Sequence, residues 1–336
     1  MALRIIKIIV IASLVLLLLF STWLIFEIHI PLDSRPQQII FEVERGKGAE
    51  AIARSLKEKG VIKKEWPFLL SYQLFYSPES LKAGEYAFSL PLSTKEVLRI
   101  LSAGQIYLHP LTIPEGLTGQ EISELLHSLD FIKEEEFLEA FSQIKALSAW
   151  DEEAQNLEGY LFPETYFFPK GIPAQKIIST MVSQFQGIFR DEWKRRTQEM
   201  GFSVREVVIL ASLIEKEASI PEEKTIVSAV FHNRLKRGMK LDCDPTIIYV
   251  LKQEGRYEGR LRYKDLRFDS PYNTYLYPGL PPSPICNPGR ESLQAALYPA
   301  EEEFLYFVSK NDGSHHFSRT FKEHQRAVLL YQKRRR

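Results

Sequence analysis

The sequence predicts an α+β chain carried on a single N-terminal transmembrane helix. Three observations point there. Residues 8–26 form an uncharged apolar run, a strand–turn–helix pattern occurs twice after it, and a buried-type helix lies among proline- and aromatic-rich loops in the second half. The chain has 336 residues, which suggests two domains at about 150 residues each. Lys plus Arg and Asp plus Glu both total 43, so the net charge is zero. Neutrality argues against a nucleic-acid partner, which calls for a basic excess. A hydrophobic fraction of 45% and 12% aromatics are enough for a packed core. The two cysteines, Cys243 and Cys286, are too few for a disulfide scaffold. One bridge and two free thiols both remain open.

The apolar run matches the ~20 residues that cross a bilayer core as a helix. Arg4 and Lys7 precede it, and Glu27 and Asp33 follow before the next cation, Arg35. The positive-inside bias therefore places residues 1–7 in the cytoplasm and everything after residues 8–26 outside. A cleaved signal peptide is the rival, but its apolar region is about 7–15 residues and ends at a small-x-small site. This run ends in Trp23, Leu24, Ile25 and Phe26.

Segments 43–68 and 113–138 align without gaps. Gly46 matches Gly116, Ile52 matches Ile122, Leu56 matches Leu126, and Ile62, Lys63 and Glu65 match Ile132, Lys133 and Glu135. Each copy reads as a short strand, a glycine turn and an amphipathic helix; Ile122, Leu125, Leu126 and Leu129 form a helical stripe. Thr118 with Glu121 makes a capping box. Between the copies, residues 83–91 read as a strand, and Ser93 with Glu96 caps a helix closed by Gly104. Such units make a compact binding or positioning module.

In the second half, residues 158–173 (EGYLFPETYFFPKGIP) read as a structured loop, because proline disfavours regular elements. Ser203 with Glu206 opens a helix that is apolar nearly all round from Val207 to Ile214, hence buried. Glu217 continues an apolar stripe through Leu210, Leu213 and Ile214. A carboxyl held there is desolvated, its pKa rises, and it suits general-acid work near neutral pH. Glu215 lies on another face of the same helix. Pro221, Glu222 and Glu223 open a second helix that Gly238 closes. Asn233 lies past its apolar face. Asp244-Pro245-Thr246 turns into a further ordered element. Tyr272, Asn273, Thr274 and Tyr275 lie in an irregular loop over 270–289, where aromatic faces beside amides and hydroxyls suit sugar recognition. A plain proline-fixed surface loop explains them equally. Residues 304–325 read as a hairpin turning at Asn311-Asp312-Gly313. His315, His316 and His324 match no zinc spacing, and there is no nucleophile elbow or phosphate loop, so no metal and no cofactor are expected. The run Lys333 to Arg336 reads as a solvated tail.

Taken together, these segments resemble the YceG-like endolytic murein transglycosylases. The resemblance rests on IPEGLT (113–118), EGYLFPETY (158–166), LASLIEKEAS (210–219), VFHNRLKRGMKLDCDPTIIY (230–249), SPYNTYLYPGLPPSPICNPGRESLQAALYP (270–299) and YFVSKNDGSHHFSRTFKEH (306–324). It covers most of residues 40–325 and implies a bacterial membrane-anchored enzyme that cuts nascent peptidoglycan glycan strands. It implies a small LysM-like module over 38–108 and a catalytic domain over 109–330. Glu217 is implied as the one acid and base, and Asn233, Tyr272, Asn273 and His315 are candidates for the substrate groove. Cell-wall synthases are the protein partners it suggests. The expected reaction is cleavage of the N-acetylmuramic acid–N-acetylglucosamine β-1,4 bond with closure of a 1,6-anhydro ring. Two other readings stay open: a hydrolase pairing Glu217 with Glu164 or Asp244, and a non-catalytic peptidoglycan-binding scaffold. Cys243 and Cys286 are assigned no role.

Overall fold

The computed structural model describes residues 2–31, 35–76, 81–147 and 150–332. Asp33 and the basic run from Lys333 to Arg336 lie outside the described residues. The fold mixes helices with three two-stranded sheets among the described residues. It divides into two units: residues 1–109 with 167–170, and residues 110–166 with 171–336.

The first unit begins with α1 (Ala2–His29), whose apolar stretch has a mean hydropathy of 2.8 and is not buried by the rest of the protein. The strand β1 (Gln37–Val43) pairs antiparallel with β2 (Gly84–Leu90), from Gln37 opposite Leu90 to Val43 opposite Gly84. Between them come α2 (Ala49–Glu58) and α3 (Glu65–Ser71), and α3 runs on into a wider π-helical turn at Tyr72–Tyr76. The helix α4 (Thr94–Ala103) follows β2. Its Ser93–Glu96 capping box is formed, and Gly104 ends it at φ 66°. Alternate residues of the strand pair and one face of each helix build a single core: Phe41, Ile52, Leu56, Phe68, Phe88 and Leu98 are all buried.

The strand β3 (His109–Thr112) pairs with β4 (Thr165–Phe168), and the second unit contains α5 (Gly119–Ser128) and α6 (Glu134–Phe141). Thus a short strand forms inside the segment expected to be wholly irregular, between Pro163 and Pro169, where the backbone N–H groups are intact. The repeated segments adopt the same local path. Gly46 and Gly116 sit at φ 83° and 77°, and the turn after the helix places Gly60 and Asp130 at φ 70° and 58°. Val61 N–H donates to Leu56 O at 2.8 Å, and Phe131 N–H donates to Leu126 O at 3.0 Å.

Then come α7 (Ala174–Ile188), α8 (Asp191–Glu199), α9 (Val204–Glu217), α10 (Pro221–Lys236), α11 (Asp244–Gln253) and α12 (Arg290–Leu297). The helix α9 is the axis of this unit. Every residue from Val207 to Ile214 is buried, and α8, α10, α11 and α12 pack on it. The loop over 270–289 is tied to α9, since Ser212 Oγ accepts from Ile285 N–H at 3.0 Å. Gly159 allows the closest approach. It sits at φ 89°, and a Cβ there would lie 2.5–2.7 Å from Pro284 and Val208. A hairpin of β5 (Tyr306–Ser309) and β6 (His315–Ser318) turns through Asn311 and Gly313, both at positive φ. It is shorter than the expected span to residue 325, because a Thr320–Glu323 capping box starts α13 (Phe321–Tyr331). Cys243 and Cys286 are free, buried thiols.

Candidate active site

The Ser203–Glu206 capping box starts α9, and the helix stays intact through its buried run to Glu217, where Ala218 turns extended and Pro221 begins α10. Glu217 therefore occupies the last helical turn, half-buried. The partial negative charge of the helix end and the loss of water both disfavour its carboxylate. Burial pushes the Glu217 carboxyl up to about 7. The Cys243 thiol and Arg234 pull the other way, and neighbouring Asp244 adds to the rise. Cys243 Sγ donates to Glu217 Oε1 at 3.2 Å. Burial, then the Glu217 charge, hold this thiol well above its ordinary value, so it stays protonated and acts as the donor.

Cys243 is itself fixed by its neighbours. It stands just before α11; its N–H donates to Thr274 Oγ1 at 2.9 Å, and its carbonyl accepts from Thr246 Oγ1 at 2.7 Å. Tyr275 Oη donates to Asp244 Oδ1 at 2.6 Å. The loop over 270–289 and the start of α11 thus meet at the end of α9. Arg234, 7% exposed, braces the same corner. It donates to the carbonyls of Leu305, Lys240 and Leu241 and to Asp242 Oδ2 at 2.9 Å.

Glu215, two residues away, faces a different set of groups. Its Oε2 accepts from Ser292 Oγ at 2.6 Å, Gly289 N–H at 3.1 Å and Lys224 Nζ at 3.4 Å. Lys224 is buried and also lies within 3.9 Å of Glu115 and Glu291. Glu215 is engaged in a structural network, whereas Glu217 meets a weak thiol donor.

The four residues expected in the groove are placed differently from one another. Asn233 Nδ2 donates to the carbonyls of Glu302 and Phe304 at 2.7 and 3.0 Å, so it clamps α10 to the segment before β5. Asn273 is fully buried; its Nδ2 donates to the carbonyls of Leu266 and Phe268, and its Oδ1 accepts from Tyr275 N–H. Both amide nitrogens hold neighbouring segments in place; Asn273 is enclosed, whereas Asn233 is only partly buried. Tyr272 is half-exposed, its hydroxyl 2.5 Å from Ser283 Oγ and its ring 5.3 Å from that of Tyr249. It lines a small cleft with Glu158, Tyr160 and Arg205. His315 places its N–H and Nδ1 on the two Glu223 oxygens at 2.9 and 2.7 Å, docking β6 on the first turn of α10. Of the two carboxylates weighed as a second acid, Asp244 adjoins the Glu217 pair, and Glu164 is exposed and hydrogen-bonded to Thr165 N–H.

Sequence reasoning missed Cys243, whose partner is 26 positions away, and Glu158. The Glu158 carboxyl is buried, accepts from Gly119 N–H and Asn287 Nδ2, and burial pushes it up to about 8. Asn287 Oδ1 also accepts from Gly159 and Leu161 N–H, so this pair locks residues 158–161 against the loop over 270–289.

Two carboxyls, half-buried Glu217 and buried Glu158, can carry a proton at neutral pH, on a mixed helical and sheet scaffold led by an apolar helix; such a carboxyl at the end of a helix has the chemistry of a general acid. The YceG-like family matches residues 41–329, and the chain belongs to it. It is 32% identical over 308 residues to the endolytic murein transglycosylase of Bacillus subtilis, covering 86% of this chain and 83% of that one. It is 27% identical over 330 residues to the protein of that name from Streptococcus pneumoniae, covering 89% of this chain and 59% of the longer relative. Among solved structures, a YceG-like protein of Listeria monocytogenes matches with a TM-score of 0.60 at 32% identity, over 86% of this chain and 98% of that one.

Proposed function

We propose that the chain is a membrane-anchored peptidoglycan lytic transglycosylase that cleaves the β-1,4 bond after N-acetylmuramic acid and leaves 1,6-anhydro ends, terminating nascent strands. The observation that carries this reading is Glu217, a half-buried carboxyl pushed up to about 7 in the last turn of a buried helix. Below that pH it is protonated and can donate to the leaving glycosidic oxygen. The resulting carboxylate then accepts the proton of the muramic C6 hydroxyl, which closes the ring on C1. No water enters, so the second carboxylate of ordinary glycosidases, placed about 5–9.5 Å from the first, has no task. Cys243 steadies the carboxylate between the two steps. The β1–α2–α3–β2 order of the first unit suits a LysM-like module, and α1 suits an anchor with its N-terminus cytoplasmic.

Asp244 beside Glu217 keeps a two-carboxylate muramidase as the second reading. Digestion of purified glycan strands by the full chain in detergent, with mass spectrometry of the ends, separates the two. Anhydro ends support the transglycosylase, and reducing ends support the muramidase. Glycan binding without cleavage would leave the scaffold role.

A further inference from the structure

The end of α1 is not a free tether. Residues 8–26 span about 28 Å as a helix, close to the ~30 Å of a bilayer core, so Trp23 to Phe26 fall at the membrane boundary, where Trp is favoured. At that level the Trp23 ring stacks on Trp66 of α3, with centroids 4.9 Å apart and 20° between planes. Lys64 Nζ donates to Glu27 at 2.7 Å, and Lys95 Nζ lies 3.2 Å from His29 Nε2. Ile28 is buried, 6% exposed. The helix is therefore docked on the same unit from which α3 and its π-helical turn project.

That turn presents two large apolar side chains to solvent, Leu74 at 59% and Phe75 at 71% exposure. Phe75 and Tyr76 form one wall of a mainly apolar cleft of about 410 Å³, and Leu24, Ile25 and Ile28 of α1 form the other. The cleft wall made by Leu24 and Ile25 belongs to the end of the apolar run, and His29 and Lys95 also line the cleft, so it opens at the membrane boundary, where the acyl chains meet the headgroups. An apolar patch continuous with a membrane-crossing surface is best covered by the same bilayer. We propose that Leu74 and Phe75 insert into the leaflet at the C-terminal end of α1, with acyl chains filling the cleft, so that the first unit is seated on the membrane at two points. The proposal rests on the reading of α1 as a membrane anchor.

The test uses the full chain with Phe75→Cys carrying an environment-sensitive NBD label, in phosphatidylcholine–phosphatidylglycerol vesicles. The native thiols Cys243 and Cys286 are buried at 1% and 0% exposure; their replacement by Ser makes the label unique. Nitroxide on the lipid acyl chain is expected to quench most of the fluorescence, and aqueous iodide is expected to leave it. Quenching by iodide alone overturns the insertion, and quenching by neither overturns it too, since a protein surface then covers the patch. Alkaline carbonate extraction of the unlabelled wild-type chain is run beside it. Release from the membrane removes the anchor reading and the insertion together; retention with an iodide-quenched label removes the insertion alone.

Discussion

The two faces of the last turn of α9 carry the same residue type with opposite outcomes. On one, Glu215 meets an ammonium, an amide N–H and a hydroxyl. On the other, Glu217 meets a thiol that is itself hard to ionise, and burial leaves its carboxyl at about 7. The difference lies in the partners: Glu215 is held by three donors, one of them an ammonium, whereas Glu217 has one weak donor and burial sets its protonation. The contrast sets the order of the following tests.

The largest effect falls on the chemical face. Glu217→Gln is expected to lower glycan cleavage roughly 10²–10⁴-fold, the usual contribution of general acid–base catalysis, with folding retained by circular dichroism. Cleavage within a few-fold of wild type would break the contrast. Next, Glu215→Ala leaves Lys224 buried beside fewer counter-charges. It is expected to cost ~3 kcal/mol in urea unfolding, with the pH profile of the remaining activity unchanged.

The pH dependence is worked out from the raised pKa. Glu217 acts as an acid when protonated, so kcat/KM is expected to fall tenfold per pH unit above about 7. The folded state also holds this proton between the ordinary value of 4.5 and about 7, where the unfolded chain has lost it. The stability it contributes is complete below pH 4.5 and is lost as pH rises through 7. Glu217→Gln should remove that part of the decline in urea titrations; Glu158, raised to about 8, leaves its own part of it. The smallest effect is expected from Cys243→Ala. Loss of the thiol donor moves the alkaline limb of the rate profile upward, whereas Cys243→Ser keeps a donor and leaves it near wild type.

Local signals were legible in the sequence. The Ser93, Thr118 and Ser203 capping boxes form with the glutamate three residues on, because each needs only one helical turn. The apolar length of α1, the repeated turn and the stripe ending at Glu217 are periodic features of the same kind. What escaped depends on contacts between distant segments. The carbonyls that the Asn233 and Asn273 amides serve are not visible in the sequence, those of Asn233 being 69 and 71 positions away. Cys243 gains meaning only when the loop over 270–289 fixes it under Glu217. Strand β4 escaped because flanking prolines mask a four-residue run.

Gly159 extends this dependence on distance. One methyl group there crowds both Pro284, in the loop that holds Cys243 through Thr274, and Val208, in the helix that carries Glu217. A Gly159→Ala enzyme could keep every reacting group and still lose rate, because the spacing between acid and donor is gauged by a residue that touches neither. Such a lesion would look like damaged chemistry in an activity assay. Its origin would be a gap in the packing, closed from behind.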